Sequence, residues 1–270
     1  MFHRARRAAR RRELRLAPRL KYREAMVLML ALSILIGISL GLLGGGGSTL
    51  TVPILAYVGG LAAPSAIASS LFVVGVTSAL GVISHACAGR VRWRAGAGFG
   101  VAGMAGAYLG GRLAAYLPGR LPMVLFGLMM IAIAIAMLRR PRRVRPPAQD
   151  LRVAAVIAEG LSVGVLTGIV GAGGGFLVVP ALVLLGGLSM ETAVGTSLVV
   201  IALQSFAGLA GRLGHVDVDW PLTLCVTAAA VVGSYVGARL GGRVPPAALR
   251  RGFGALLLAM AALVLVKELA

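Results

Sequence analysis

The chain contains an internal repeat with one fixed register. Pro53 and Pro180 lie 127 positions apart, and Trp93 and Trp220 have the same separation. The stretches between these pairs align without a gap, which predicts two homologous halves. Further pairs at this spacing are Tyr108 and Tyr235, Phe126 and Phe253, and Pro118 and Pro245. We expect a basic tail over residues 1–24, a first repeat over 25–138, a basic linker over 139–151 and a second repeat over 152–270.

Both halves are too apolar for a soluble domain. Of the 270 residues, 59% are hydrophobic and only 13% are charged, with a mean hydropathy of +0.93. Soluble proteins are about 45–50% apolar and about 25% charged. At roughly 20 residues per span, the chain has room for about eight helices in a lipid bilayer. The sequence predicts an all-α polytopic membrane protein with about eight transmembrane helices in two homologous four-helix halves.

The net charge of +19 is concentrated in short segments between the apolar runs. Residues 1–24 carry +8, residues 139–152 carry +5, and residues 90–94 carry +3. This distribution is typical of the positive-inside rule and speaks against a nucleic-acid partner. Tail and linker are both expected to be cytoplasmic, which requires an even number of crossings in each half. An even number predicts cytoplasmic termini and two repeats that run parallel to each other.

The residue types that carry catalysis or bind metals are scattered along the chain. Cys87 and Cys225 each lie alone in an apolar run, and the three histidines are far apart. The sequence has no Ser/His/Asp arrangement, phosphate loop or carboxylate pair. It therefore predicts no metal site, no cofactor and no enzymatic activity.

The first apolar run of each half cannot form one straight helix. Residues 25–58 would make a helix of about 51 Å, whereas the bilayer core is about 30 Å thick. Glycines interrupt both runs, and each costs about 1 kcal/mol relative to Ala in a helix. We expect a re-entrant or half-length helix after each break. Matching breaks in two halves are typical of a transporter binding site, although close helix packing is another use of glycine. The break glycines are Gly44, Gly45, Gly46 and Gly47, then Gly171, Gly173, Gly174 and Gly175.

Several segments resemble the TauE/SafE sulfite exporter family. They are GGGGSTLTVPIL, GAGGGFLVVPALVLLGG, ETAVGTSLVV, GHVDVDW and YVGARLGGRV, and the resemblance covers most of residues 25–267. It implies a multi-pass permease of the bacterial inner membrane that moves sulfite or other sulfur-containing organic anions. The resemblance leaves open the substrate, the direction of transport and the oligomeric state.

An anion suits the broken helices on physical grounds. The helix after each break presents backbone N–H groups and the positive end of its dipole, and glycine lets an anion approach closely. Hydroxyl and amide groups near the breaks complete the candidate site, with interhelical hydrogen bonding as the alternative use. These side chains are Ser48, Thr49, Ser69, Ser70, Thr196, Ser197 and Gln204.

Glu159 lies seven residues into the first span of the second repeat. The matching position in the first repeat is Leu32. An intramembrane carboxylate is a functional hypothesis by default, and proton coupling is the natural form of it. The alternative is a solvated position near the headgroups. Glu159 also separates the two transport hypotheses, a coupled secondary transporter for small anions and a channel-like conductor of anions or small metabolites without ion coupling.

Overall fold

A computed structural model describes residues 27–114, 116–118, 121–138, 153–170, 174–184, 187–241 and 244–269. These residues form ten helices and no strand, numbered α1 to α10 here. The first half contains α1 (Val27–Leu43), α2 (Gly46–Pro53), α3 (Ala63–Cys87), α4 (Trp93–Ala114) and α5 (Leu121–Leu138). The second contains α6 (Val153–Val170), α7 (Gly175–Leu184), α8 (Met190–Arg212), α9 (Trp220–Gly241) and α10 (Pro246–Leu269).

Five of these helices are long and apolar enough to cross a membrane. They are α3, α5, α8, α9 and α10, while α1 and part of α6 are shorter apolar helices. The prediction of an all-helical membrane protein is confirmed at this level. The helix bounds also follow the repeat, since α3 and α8 begin 127 positions apart and α4 and α9 end 127 positions apart.

The second helix of the chain folds back along the first. Gly47, in the first turn of α2, lies against the carbonyl of Ile36 and the side chain of Leu40 on α1. At the far end of α2, a Cβ built on Gly59 would be 2.9 Å from Cε of Met29. Residue numbers therefore rise along α2 as they fall along α1, so the two helices are antiparallel. A π-helical turn, Ile54–Val58, follows Pro53 and completes this return.

Two contact surfaces made of glycine join the halves, and we call them the glycine seams. One packs α1 against α9, and the other packs α6 against α4. A Cβ on any seam glycine would overlap a main-chain carbonyl of the partner helix, so only glycine permits this approach. The seam glycines are Gly37, Gly41, Gly233 and Gly237 for α1 with α9, and Gly164, Gly168, Gly106 and Gly110 for α6 with α4.

Contacts between helices fix their relative directions. In both seams the residue numbers rise together, so α1 is parallel to α9 and α6 is parallel to α4. The same comparison makes α3 parallel to α9, α4 parallel to α8, and α3 antiparallel to α8. Consequently α1 runs opposite to α6, and the two halves are inverted. For α3 with α9 the contacts are Ser69 with Thr223 and Gly81 with Ser234. For α4 with α8 they are Gly96 with Thr196 and Gly103 with Gln204, and for α3 with α8 they are Gly75 with Ser205 and Gly81 with Leu198.

The bundle has two distinct ends. At the tail end, α1 begins and α10 finishes, where the Tyr57 hydroxyl donates to Oε1 of Glu268 at 3.0 Å. At the linker end, α5 finishes and α6 begins, and Leu138 lies against Gly254 near the start of α10. The prediction of parallel halves is therefore wrong. That prediction treated α1 as a full crossing and expected the chain to be still on the far face after α2. In the structure α2 instead leads back to the end where α1 began. The tail and linker themselves lie outside the described residues.

Candidate functional site

The two glycine breaks meet inside the bundle. Gly45 precedes the first turn of α2, and Gly175 is the first residue of α7. A Cβ on Gly45 would overlap the carbonyl group of Gly175, and a Cβ on Gly175 would lie 2.6 Å from the Cα of Gly45. The main chains of the two halves are therefore in direct contact, which no larger residue would permit.

This contact brings two helix amino termini together. The first N–H groups of any α-helix have no partner within that helix, and the helix dipole places partial positive charge there. α2 leads from the contact toward the tail end and α7 leads toward the linker end, so their positive ends face each other. An anion at this junction would relieve their mutual repulsion and accept their N–H groups.

Not every glycine of the first break offers a free donor. Gly44, which has a φ of +70°, donates its N–H to the carbonyl of Leu40 at 2.8 Å. The N–H of Gly45 donates to the carbonyl of Leu43 at 2.8 Å. Both groups complete the end of α1, so the donors left for an anion belong to the first turn of α2.

Side chains add polar atoms around the junction. Ser48 is fully buried, its hydroxyl donates to the carbonyl of Gly45 at 2.7 Å, and a Cβ on Gly175 would lie 2.9 Å from its Oγ. Thr49 is fully buried one residue further along α2. Ser197 approaches the first break from α8, where a Cβ on Gly44 would lie 2.8 Å from its Oγ.

Gln204 lies against the second break. It is 1% exposed, and a Cβ on Gly174, which has a φ of +72°, would be 2.7 Å from its Oε1. Its amide nitrogen Nε2 is buried and has no hydrogen-bond partner among the described residues. The hydroxyl of Thr167 donates to Oε1 at 3.4 Å, which is a long hydrogen bond. Nε2 lies on the side of α4, where a Cβ on Gly103 would overlap it, and Oε1 faces the break. A buried donor without a partner is costly, and an anion would satisfy it once the amide turned toward the break.

The Ser197 hydroxyl donates to the carbonyl of Val194 at 2.8 Å within α8, and Ser69, Ser70 and Thr196 also have partners. Ser69 accepts a hydrogen bond from Oγ1 of Thr223 at 3.0 Å, and Thr196 accepts one from the backbone N–H of Arg92 at 3.0 Å. The Ser70 hydroxyl donates to the carbonyl of Ile67 at 2.8 Å. Ser69 thus makes the interhelical contact that was its alternative use, and Thr196 binds the loop that precedes α4. Gly171 and Gly173 lie outside the described residues, and Gly46 is the first residue of α2.

The family model of "Sulfite exporter TauE/SafE" matches residues 29–264. The chain belongs to this family. A "Probable membrane transporter protein" of Xylella fastidiosa (strain 9a5c) is 32% identical over 245 residues, which is 88% of this chain and 94% of the relative. A "Probable membrane transporter protein YdhB" of Bacillus subtilis (strain 168) is 27% identical over 230 residues, 83% of this chain and 94% of the relative. No solved structure matches the chain.

Membership in the TauE/SafE family makes the protein a membrane transporter in general terms and confirms the resemblance noted in the sequence. The archaeal relative from Methanocaldococcus jannaschii is 27% identical over 252 residues, with 86% of this chain and 93% of the relative covered. These relatives span nearly the whole bundle, so both breaks lie inside the matched region.

Glu159 lies apart from the junction of this TauE/SafE protein. It is half-buried in the first two turns of α6, twelve positions before Gly171. That separation corresponds to about 18 Å along a helix. A role in coupling therefore stays a prediction, and a direct contact with an anion at the junction does not follow from this position.

Sequence reasoning missed a pair of buried basic residues at matching repeat positions. Arg212 is 4% exposed, and its Nη2 donates to the carbonyls of Gly168 at 2.8 Å and Ile169 at 2.7 Å. His85 is 3% exposed, and its Nε2 lies 3.2 Å from the carbonyl of Gly41. Each residue contacts the last turn of the helix that precedes a break, where exposed carbonyls favour cations. The 127-residue register relates Arg212 to His85 and was the signal that could have identified them.

Proposed function

We propose that the protein is a secondary transporter that moves a small oxyanion across the bacterial inner membrane and binds it where α2 and α7 meet. The contact between Gly45 and Gly175 is the observation that carries this proposal, because it places two positive helix ends together. The unpartnered Nε2 of Gln204 faces Gly103 of α4 while its Oε1 lies beside Gly174, so a half-turn of this amide would direct a donor to the same place. Sulfite is the substrate that the family name suggests, and sulfur-containing organic anions are those that the sequence resemblance adds.

The proposed membrane arrangement has eight embedded helices and two half-length ones. α2 and α7 are the half-length helices, and each forms a hairpin with the helix before it. The described ends of α1 and α10 share the tail end, so both termini are proposed to lie on one side. The tail carries +8, and residues 139–152 and 90–94, which belong to the linker end, together also carry +8, so the positive-inside rule gives the two ends equal weight.

Accessibility of two cysteines tests this arrangement. Cys87 is exposed at the linker end, and Tyr116, which is 79% exposed, lies in the turn after α4 at the tail end. With Cys225 replaced by Ser, a membrane-impermeant maleimide should label Cys87 from one face of the membrane. In the variant Tyr116→Cys with both native cysteines replaced by Ser, labelling should come from the opposite face. Labelling of both positions from the same face would refute the inverted arrangement.

Uptake into proteoliposomes tests the substrate. Radiolabelled sulfite should accumulate in a saturable manner, and thiosulfate, sulfoacetate and simple carboxylates would rank the anions that compete. Gly45→Ala should reduce uptake sharply, whereas Gly98→Ala places the same methyl group where nothing lies within 4 Å and should transport normally. Equal uptake by the two variants, or no uptake of any tested anion by the unmodified protein, would contradict the proposal.

A channel-like conductor is the second candidate, because the residue proposed for coupling lies far from the break. A coupled transporter should concentrate sulfite inside vesicles when a proton gradient is imposed, and Glu159→Gln should remove that dependence. A conductor would only equalise the two concentrations, with or without the gradient. Normal concentrative uptake by Glu159→Gln would eliminate Glu159 as the coupling residue while leaving the anion site intact.

A further inference from the structure

The two ends of the bundle hold cavities that the internal repeat relates to each other. The tail-end cavity lies between the start of α3, the end of α4 and the end of α8, and has a volume of about 310 Å³. The linker-end cleft lies between the end of α3, the start of α8 and the end of α9, and has about 10 Å³. Lining residues that match at 127 positions are Arg212 and His85, Ile67 and Val194, Ala114 and Gly241, and Pro122 and Leu249.

The matched cavities differ in charge as well as in size. The basic or titratable side chains that line the tail-end cavity are Arg212 and His215, and no carboxylate is among its described lining residues. The linker-end cleft is lined by His85, Arg90 and the carboxylate of Glu191. The wide cavity is therefore electropositive, whereas the cleft is lined by charges of both signs and is almost filled.

Capping of a helix end does not explain why the larger cavity has an arginine. His85 contacts the carbonyl of Gly41 with one ring nitrogen, and this suffices at the end of α1. Arg212 makes the equivalent contacts at the end of α6 with Nη2 alone, and its Nε is buried without a partner in the described structure. A buried guanidinium that has no carboxylate partner is costly unless an anion joins it.

We propose that the tail-end cavity is the entry site for the transported anion and that Arg212 binds the anion there before it reaches the break. This inference rests on the proposed anion transport but names a second, separate site. The volume of the cavity corresponds to about ten water molecules, so the cavity admits a partly hydrated oxyanion. From the end of α6, which Arg212 contacts, the chain continues directly into the second break. In this conformation the anion enters from the tail end, and the linker-end cleft is closed.

Rates of mixed-disulfide formation at matched cysteines test the entry site without measuring transport. Cys87 and Cys225 are first replaced by Ser, and then Ala114→Cys places a thiol in the tail-end cavity. Gly241→Cys is its counterpart in the cleft, where a Cβ meets only ordinary contacts of 3.6 Å or more. Purified protein in nanodiscs, with both ends accessible, is treated with methanethiosulfonate reagents of similar size but opposite charge.

The cysteine at position 114 should react about tenfold faster with the anionic reagent than with the cationic one, since a fixed positive charge concentrates anions in a cavity. Sulfoacetate should slow the anionic reaction, because it is an oxyanion that does not react with the reagent. Arg212→Gln should remove the preference and Arg212→Lys should restore much of it, while the cysteine at position 241 should react slowly with both reagents. A preference that survives Arg212→Gln would overturn the proposal, and so would equal rates at the two positions.

Two further variants separate this proposal from misfolding and from the junction site. Arg212→His copies the residue that caps the other broken helix, so it should preserve the melting temperature yet reduce the anionic preference. Gln204→Leu alters the junction only and should leave the reagent preference at position 114 unchanged. Loss of the preference in Gln204→Leu would show that the charge effect does not belong to Arg212. A preserved preference together with absent sulfite transport would contradict the proposed function and leave the entry site standing.

Discussion

The glycine seams and the glycine breaks use the same residue in different ways. The eight seam glycines form four pairs at 127 positions, and each contacts a carbonyl on a neighbouring helix. The breaks depart from that symmetry, because Ser48 matches Gly175, Thr49 matches Phe176, and the glycines with positive φ, Gly44 and Gly174, do not match each other. The helix packing of the protein is thus repeated, whereas its centre is built from unlike groups, so the two breaks cannot form two equivalent anion sites.

The largest effect should come from a seam. Gly233→Val would place a branched side chain against the carbonyl of Ile34, and overpacking of this kind costs about 1–3 kcal/mol or more. We expect a lower melting temperature and loss of monodisperse protein in size-exclusion chromatography. Gly252→Val is the control, since nothing lies within 4 Å of that position. Equal melting temperatures for the two variants would contradict the packing role of the seams.

The next largest effect should come from the break. Gly45→Ala would push apart the amino termini of α2 and α7, so sulfite transport should fall at least about tenfold, equivalent to about 1.4 kcal/mol of binding. The amount of protein in the membrane should stay normal, because insertion depends on overall apolarity. Transport per molecule, compared with Gly98→Ala, gives the measurement. If the two variants transport equally well, the breaks serve packing alone, as the seams do.

Gln204 should affect stability and binding in opposite directions. Gln204→Leu removes a buried donor without a partner, so the melting temperature should rise or hold, while the apparent affinity for sulfite should fall about tenfold for one charge-assisted hydrogen bond. Thr77→Val is the matched control in the first half, where the Oγ1 of Thr77 is also buried without a described partner. This control should not change the affinity. A similar loss of affinity in Gln204→Leu and Thr77→Val would show that the Gln204 amide does not bind the anion.

The smallest effect should come from one hydroxyl. Ser48→Ala should weaken the apparent affinity about fivefold, which corresponds to about 1 kcal/mol for one hydrogen bond. Ser33→Ala removes a buried hydroxyl that donates within α1 at 2.6 Å, away from the break, and should leave the affinity unchanged. Unchanged affinity in Ser48→Ala would show that this hydroxyl only donates to the carbonyl of Gly45 and does not bind the anion.

The sequence predicted the frame of the molecule well. The repeat register, the positions of the breaks and the helix character of each run follow from spacing and apolarity, which are local properties of the chain. The direction of α2 did not follow, because it depends on contacts such as Gly47 with Leu40 that no charge pattern encodes. That single helix reversed the expected relation of the two halves.

The candidate site was predicted in part. The glycines and Ser48 were identified because consecutive glycines break a helix wherever they occur. The meeting of Gly45 with Gly175 depends on inverted packing and could not be read from spacing. The same holds for the choice of Ser197 over Thr196 beside Gly44, since adjacent residues on a helix point to different neighbours. Arg212 was missed because the sequence does not locate the end of α8 to within one turn.

Equilibrium binding of radiolabelled sulfite to the purified protein tests the central claim most directly. If the two breaks form one site, binding should saturate at one anion per chain. It should weaken in Gln204→Leu and be lost in Gly45→Ala, and remain unchanged in Gly98→Ala. Saturation at two equivalent anions per chain, or full affinity in Gly45→Ala, would contradict a single anion site between α2 and α7.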